Sequence, residues 1–119
     1  MAIPAKVLLI EDEPLISILY EDILESTEFV VVATLICNAD ALEWLKRNRP
    51  DVAIVDHTLS DGVCLPVIRA LQAAGIPFLV SSGYSRFEEA ELACVVPLPK
   101  PFREEELIKL LRNIMSKSV

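Results

Sequence analysis

Short, nearly uninterrupted apolar runs recur along the chain with helix-length intervals between them: Val7 to Ile10, Phe29 to Ile36, Val52 to Val55, Pro77 to Val80 and Cys94 to Val96. Runs of this kind, continuous rather than alternating, predict five strands covered on both faces, as in a parallel sheet flanked by helices. The intervals supply the helices. Pro14 suits a first helical turn before Leu15, Ile16, Leu19 and Ile23, and Asn38 is placed to cap a helix carrying Ala41, Leu42 and Leu45. Pro66 opens a helix that buries Val67, Ile68 and Leu71 and ends at Gly75. The last helix starts near Arg103, puts Glu104, Glu105 and Glu106 in its first turn and Lys117 at its far end, and buries Leu107, Leu111 and Ile114. That charge order matches the helix dipole. Repeated β-α units predict an α/β fold with right-handed crossovers. At this length a flavodoxin-like, doubly wound sheet is expected, with five parallel strands in the order 2-1-3-4-5 and about five helices.

Composition narrows the picture. The 119 residues, 53% of them hydrophobic, are enough for one domain with a continuous core, so residues 1–119 are read as a single domain. The net charge is -7 and the 11 Lys and Arg residues are scattered, which argues against nucleic-acid binding. No apolar run approaches the roughly 18 residues of a membrane span, and residues 1–6 lack a signal-peptide layout, so the chain reads as cytoplasmic. Cys37, Cys64 and Cys94 are too far apart to suggest a zinc site or a disulfide framework and read as packing residues.

In a doubly wound sheet, ligands bind beyond the carboxyl ends of the strands. The polar residues there are not scattered: the first run ends in Glu11, Asp12 and Glu13, the third in Asp56, the fourth in Ser81 and Ser82, and the fifth leads to Lys100. The expected strand order brings Glu11, Asp12 and Asp56 together, with Ser82 and Lys100 approaching from the other side. Carboxylates crowded in a partly desolvated pocket repel, and a hard divalent cation relieves that repulsion. Mg²⁺ fits best, because it takes one or two protein carboxylates and completes its shell with water and phosphate oxygens. A phosphoryl group could then pass to a carboxylate nucleophile. Taken singly, each residue has a plainer reading: Asp56 as a cap, Glu11 and Asp12 as a solvated loop, the serines as turn formers, Lys100 as a surface cation. Their joint placement at four strand ends favours a functional site.

The segments KVLLIEDE (Lys6 to Glu13), DVAIVD (Asp51 to Asp56), PFLVSSGY (Pro77 to Tyr84) and PLPKPF (Pro97 to Phe102) together resemble the response-regulator receiver family over essentially the whole chain. The resemblance implies that Asp56 is the phosphoacceptor. It implies further that Asp12, Asp56 and the backbone carbonyl of Thr58 bind Mg²⁺ directly, with Glu11 acting through water. Ser82 becomes the switch hydroxyl and Lys100 the phosphate-binding lysine, aimed at the pocket by a cis Lys100–Pro101 peptide. Two features depart from the family pattern. Pro97 stands where receivers usually carry the Tyr or Phe whose rotamer reports phosphorylation, and the stretch from Ser82 to Lys100 is short, so the fourth helix, near Arg86 to Leu92, is expected to be brief or partly disordered. Both are similar to a receiver subgroup with a PFxFATGY-like fourth strand that is associated with histidine kinases of the HWE type.

The expected function is therefore a stand-alone, non-enzymatic signalling receiver. It takes a phosphoryl group from a histidine kinase or a phosphotransfer protein and changes its affinity for a protein partner, with a homodimer among the possibilities. A haloacid-dehalogenase-like phosphohydrolase is one rival, but that class wants a second Asp where Thr58 stands. A phosphorylation-independent scaffold is the other, and the intact acidic set with Ser82 and Lys100 argues against it. His57 is expected to point away from the acidic pocket by strand alternation. Switching is expected to run through the Ser82 to Leu92 segment, read as polar and poorly anchored, with Gly83 giving the backbone freedom.

Overall fold

The computed structural model describes residues 3–82, 89–92 and 95–117, with the Lys117 side chain outside that set. The elements run β1 (Ala5–Ile10), α1 (Pro14–Leu24), β2 (Phe29–Leu35), α2 (Asn38–Leu45), β3 (Val52–Asp56), β4 (Thr58–Leu59), β5 (Gly62–Val63), α3 (Leu65–Ala74) and β6 (Phe78–Ser82). A 3-10 turn (Ala90–Leu92), β7 (Pro97–Pro99) and α4 (Glu104–Lys117) complete them. Five parallel strands form one sheet in the order β2-β1-β3-β6-β7, which is the expected 2-1-3-4-5 order of the main strands. Every residue of the central strand β3 is buried. Alternation along the inner strands divides the core into two layers. Val7, Leu9, Ile54 and Leu79 pack with Tyr20 and Ile23 of α1 and Leu107 and Leu111 of α4. Leu8, Ile10, Val55 and Val80 pack on the other face with Ala41 of α2 and Val67, Ile68 and Leu71 of α3.

Several local expectations need correction. The fifth strand lies at Pro97–Pro99, just after Val96, and Cys94 falls outside the described residues. Two prolines are tolerated there because β7 is an edge strand, and its register places Leu98 opposite Ser81. Asn38 does not cap α2. Cys37 does, its Sγ accepting from the Asp40 N–H at 3.4 Å, while Asn38 begins the helix with a buried side chain. On α1 the buried residues are Ser17, Tyr20, Ile23 and Leu24, and Leu15 is 80% exposed. Four α-helices and one 3-10 turn stand among the described residues, against about five helices expected. Of the expected fourth helix, Ala90–Leu92 is a 3-10 turn and Arg86, Phe87 and Glu88 lie outside the described residues, as does Gly83. The anticipated α3 stop holds: Gly75 adopts φ 70° and donates back to Gln72 and Leu71.

Candidate phosphoacceptor site

The topology does what the strand-end residues require. β1 and β3 are neighbours paired through Ile10 and Val55, so the residues that follow them share one end of the sheet. Glu11, Asp12 and Asp56 there present carboxylate oxygens that all lie within 4.8 Å of one another. Glu11 is 1% exposed and Asp56 9%, while Asp12 is half-buried. Lys100 enters from beyond β7, its Nζ 3.2 Å from Asp56 Oδ1 and 3.4 Å from Glu11 Oε1. Its backbone N–H bonds the Ser82 carbonyl at 2.9 Å, and the Lys100–Pro101 peptide is cis. Ser82 is buried at the end of β6, the strand that pairs with β3. The structure therefore gathers Glu11, Asp12, Asp56, Ser82 and Lys100 at one sheet end, as the sequence reading expects. Glu13 is exposed, and its N–H bonds Glu11 Oε2 at 3.2 Å.

The electrostatics follow from this crowding. Burial first, and then the Asp56 charge, push the Glu11 carboxyl up to about 7, with Lys100 and the Glu13 N–H pulling the other way. Burial works against the Lys100 ammonium, but Asp56 and Glu11 outweigh it and its pKa is raised. One ammonium thus faces three carboxylates, and Glu11 relieves the imbalance by holding a proton more tightly than a free carboxyl would. A hard, oxygen-seeking divalent cation fits such a donor set, since carboxylates in one half-open pocket are the ligands it prefers.

Thr58 stands in β4, and the β4–β5 hairpin was missed by sequence reasoning because its strands are only two residues long. The Asp61-Gly62 pair could have revealed it as a turn signal: Ser60 and Asp61 join the two strands, and Gly62 takes φ 122° directly after them. Asp61 fixes the hairpin to α2: its carboxylate accepts from the Asn38 N–H at 2.8 Å, the Asn38 amide at 3.1 Å and the Ala39 N–H at 3.1 Å. Those bonds hold the Asp61 carboxyl below its usual range. Asn38 also donates to the Val63 carbonyl at 3.1 Å, so its buried amide ties the loop that carries Thr58 to α2.

His57, which the sequence reading expects to point away from the acidic pocket, has specific partners. Its Nε2 lies 2.6 Å from Glu89 Oε1 and its Nδ1 3.0 Å from Thr58 Oγ1. Glu91 pairs with Arg69 of α3, whose Nε is 2.9 Å from Glu91 Oε2, and Leu92 is buried. Within the expected Ser82 to Leu92 segment, the acids of the described residues 89–92 find partners on the β3–α3 side that no local pattern announces, while residues 83–88 lie outside the described residues.

Comparison with known proteins places these features. A family model described as the response regulator receiver domain matches residues 7–112. The sensory transduction protein LytT of Bacillus anthracis is 30% identical over 113 residues, which are 91% of this chain and 46% of LytT, so the chain spans about half the length of this curated relative. The solution structure of SdrG from Sphingomonas melonis Fr1 superposes with a TM-score of 0.83 at 32% identity, covering 97% of this chain and 99% of that one. The receiver domain of the sensor histidine kinase PA1611 from Pseudomonas aeruginosa PAO1, a crystal structure with a magnesium ion coordinated in the active site cleft, superposes at TM-score 0.83 and 22% identity, covering 95% and 98%.

Proposed function

Because this chain belongs to the response regulator receiver family, a family of phosphoacceptor signalling modules that work with histidine kinases, we propose that Asp56 is its phosphoacceptor and that residues 1–119 form one receiver domain. The observation that carries the assignment is the convergence of the Glu11, Asp12 and Asp56 carboxylates with the Lys100 ammonium at the carboxyl end of the sheet. An Asp56 carboxylate oxygen attacks the phosphorus of a phosphohistidine, the P–N bond breaks, and its electron pair leaves with the imidazole, which takes up a proton. The product is an acyl phosphate on Asp56. Lys100 pairs with a phosphate oxygen and steadies the attacking carboxylate, and the Ser82 hydroxyl donates to another. Asp12, Asp56 and the Thr58 carbonyl would hold Mg²⁺, with Glu11 acting through water, and the ion would supply the charge neutralisation that lets an anion approach this acidic pocket.

The phosphoryl donor is a histidine kinase or a phosphotransfer protein. The Pro77 to Tyr84 segment, with Pro97 in place of an aromatic, supports a donor of the HWE type or a related one. The phosphorylated form changes its affinity for a protein partner, with self-association as one form this takes. No described helix is long and apolar enough to cross a membrane, and we place the protein in the cytoplasm. The site assignment is tested by Mg²⁺ titration: Asp12→Ala weakens binding strongly, whereas Glu13→Ala, altered at an exposed position, leaves it near the wild-type value. Equal losses in the two variants would show that the pocket is drawn wrongly.

A further inference from the structure

His57 bonds both the end of β6 and Glu89. Its backbone N–H donates to the Ser81 carbonyl at 2.8 Å, fixing the end of β6 next to Ser82, and its ring reaches Glu89 at 2.6 Å, where the described chain resumes. Its own carbonyl accepts from the Cys64 N–H at 2.9 Å, so the residue cannot shift without disturbing the start of α3. A carboxylate only accepts, so the ring proton lies on Nε2 toward Glu89, and in the neutral ring Nδ1 accepts from the Thr58 hydroxyl at 3.0 Å. One imidazole therefore links Thr58 at the start of β4, two residues after Asp56, to the 89–92 turn.

We propose that His57 and Glu89 form a clasp that positions the phosphoacceptor loop and the Ser82 strand end as one unit, so that the site is organised for a phosphoryl group before one arrives. This rests on the receiver reading above. The Ser81 backbone and the Glu89 carboxylate are both tied to His57 in advance, so part of the positioning cost that phosphoryl binding would otherwise meet has already been met. Linkage then requires reciprocity: opening the clasp weakens binding of a phosphoryl mimic, and binding the mimic tightens the clasp. His57 and Glu89 are positioning residues here, since neither touches the phosphoryl group.

The test measures beryllofluoride affinity in the presence of Mg²⁺, together with amide exchange in its absence. His57→Phe and Glu89→Ala are each expected to lower affinity about fivefold, the low end of measured inter-site couplings, and the double variant to lose no more than either single one. His57→Gln, which keeps a donor of similar reach, recovers part of the loss. In metal-free protein both clasp variants speed exchange at the Leu92 N–H, which bonds the Glu89 carbonyl at 3.0 Å. Glu91→Gln loosens the same turn through Arg69 without touching the clasp, and it is expected to leave affinity unchanged. The clasp is overturned if Glu89→Ala binds as tightly as wild type, if the single losses multiply in the double variant, or if Glu91→Gln loses as much as Glu89→Ala. A wild-type protein that takes up no beryllofluoride would overturn the receiver reading itself, and this inference with it.

Discussion

Replacing Asp56 by Asn should stabilise the metal-free protein even though it removes the proposed phosphoacceptor. The pocket holds three carboxylates whose oxygens lie within 4.8 Å of one another. At pH 8, above the raised Glu11 pKa of about 7, each pairwise repulsion among these carboxylates is worth about 3 kcal/mol at an effective dielectric near 20. Neutralising position 56 removes two of these repulsions. It also forfeits the attraction to Lys100, 3.2 Å from Asp56, which on the same scale is about 5 kcal/mol. The balance favours the variant by about 1 kcal/mol, equivalent to ~4 °C in Tm for a domain of this size. Because Asn keeps the shape of Asp, packing contributes little. Paired urea and thermal unfolding in chelator at pH 8 reads the difference. In Mg²⁺ the wild type recovers stability by mass action, while the variant, one ligand short, gains much less. An Asp56→Asn protein that is no more stable than wild type in chelator would refute the electrostatic argument.

Glu11 adds a pH signature. Its folded pKa of about 7 exceeds the ordinary 4.5, so its favourable contribution is complete below the unfolded pKa and is lost as pH rises through the folded one. The unfolding free energy of the metal-free protein, read by urea titration, should fall between pH 5 and pH 8 by up to about 3 kcal/mol, and Glu11→Gln should flatten the curve. An unchanged slope in that variant would place the effect elsewhere. Among the described residues, the Tyr20 and Ser81 hydroxyls are buried without a well-formed hydrogen bond, though Ser81 lies near enough to Tyr20 to oppose slightly the rise that burial causes in its pKa. Tyr20→Phe with Ser81→Ala keeps the ring stacked on Phe102 at 4.9 Å, and the pair is expected to be neutral or stabilising by about 1 kcal/mol. A clear loss of stability would reveal a bond made by one of them.

The sheet and the acidic pocket were legible because both follow from strand-end positions. Continuous apolar runs marked the buried strands, and the residues just after them could only meet at one end of a doubly wound sheet. What escaped had no periodic signature. Pro97–Pro99 does not read as a strand, since its pairing depends on being at an edge. Leu15 and Leu19 look like core residues on α1, yet Tyr20 and Ser17 face the sheet instead, a choice made by the packing of α1 and not by hydrophobicity alone. Asn38 and Asp61 are 23 residues apart and His57 and Glu89 are 32 apart. Such long-range polar pairs belong to the tertiary structure and leave no local mark.

The central claim is that Asp56 accepts the phosphoryl group, and intact-mass measurement after incubation with a phosphoryl donor tests it most directly. With acetyl phosphate and Mg²⁺, wild type should gain a single phosphoryl adduct that chelator prevents and that is absent from Asp56→Asn. An undiminished adduct in Asp56→Asn, or one that forms equally well in chelator, would contradict the account.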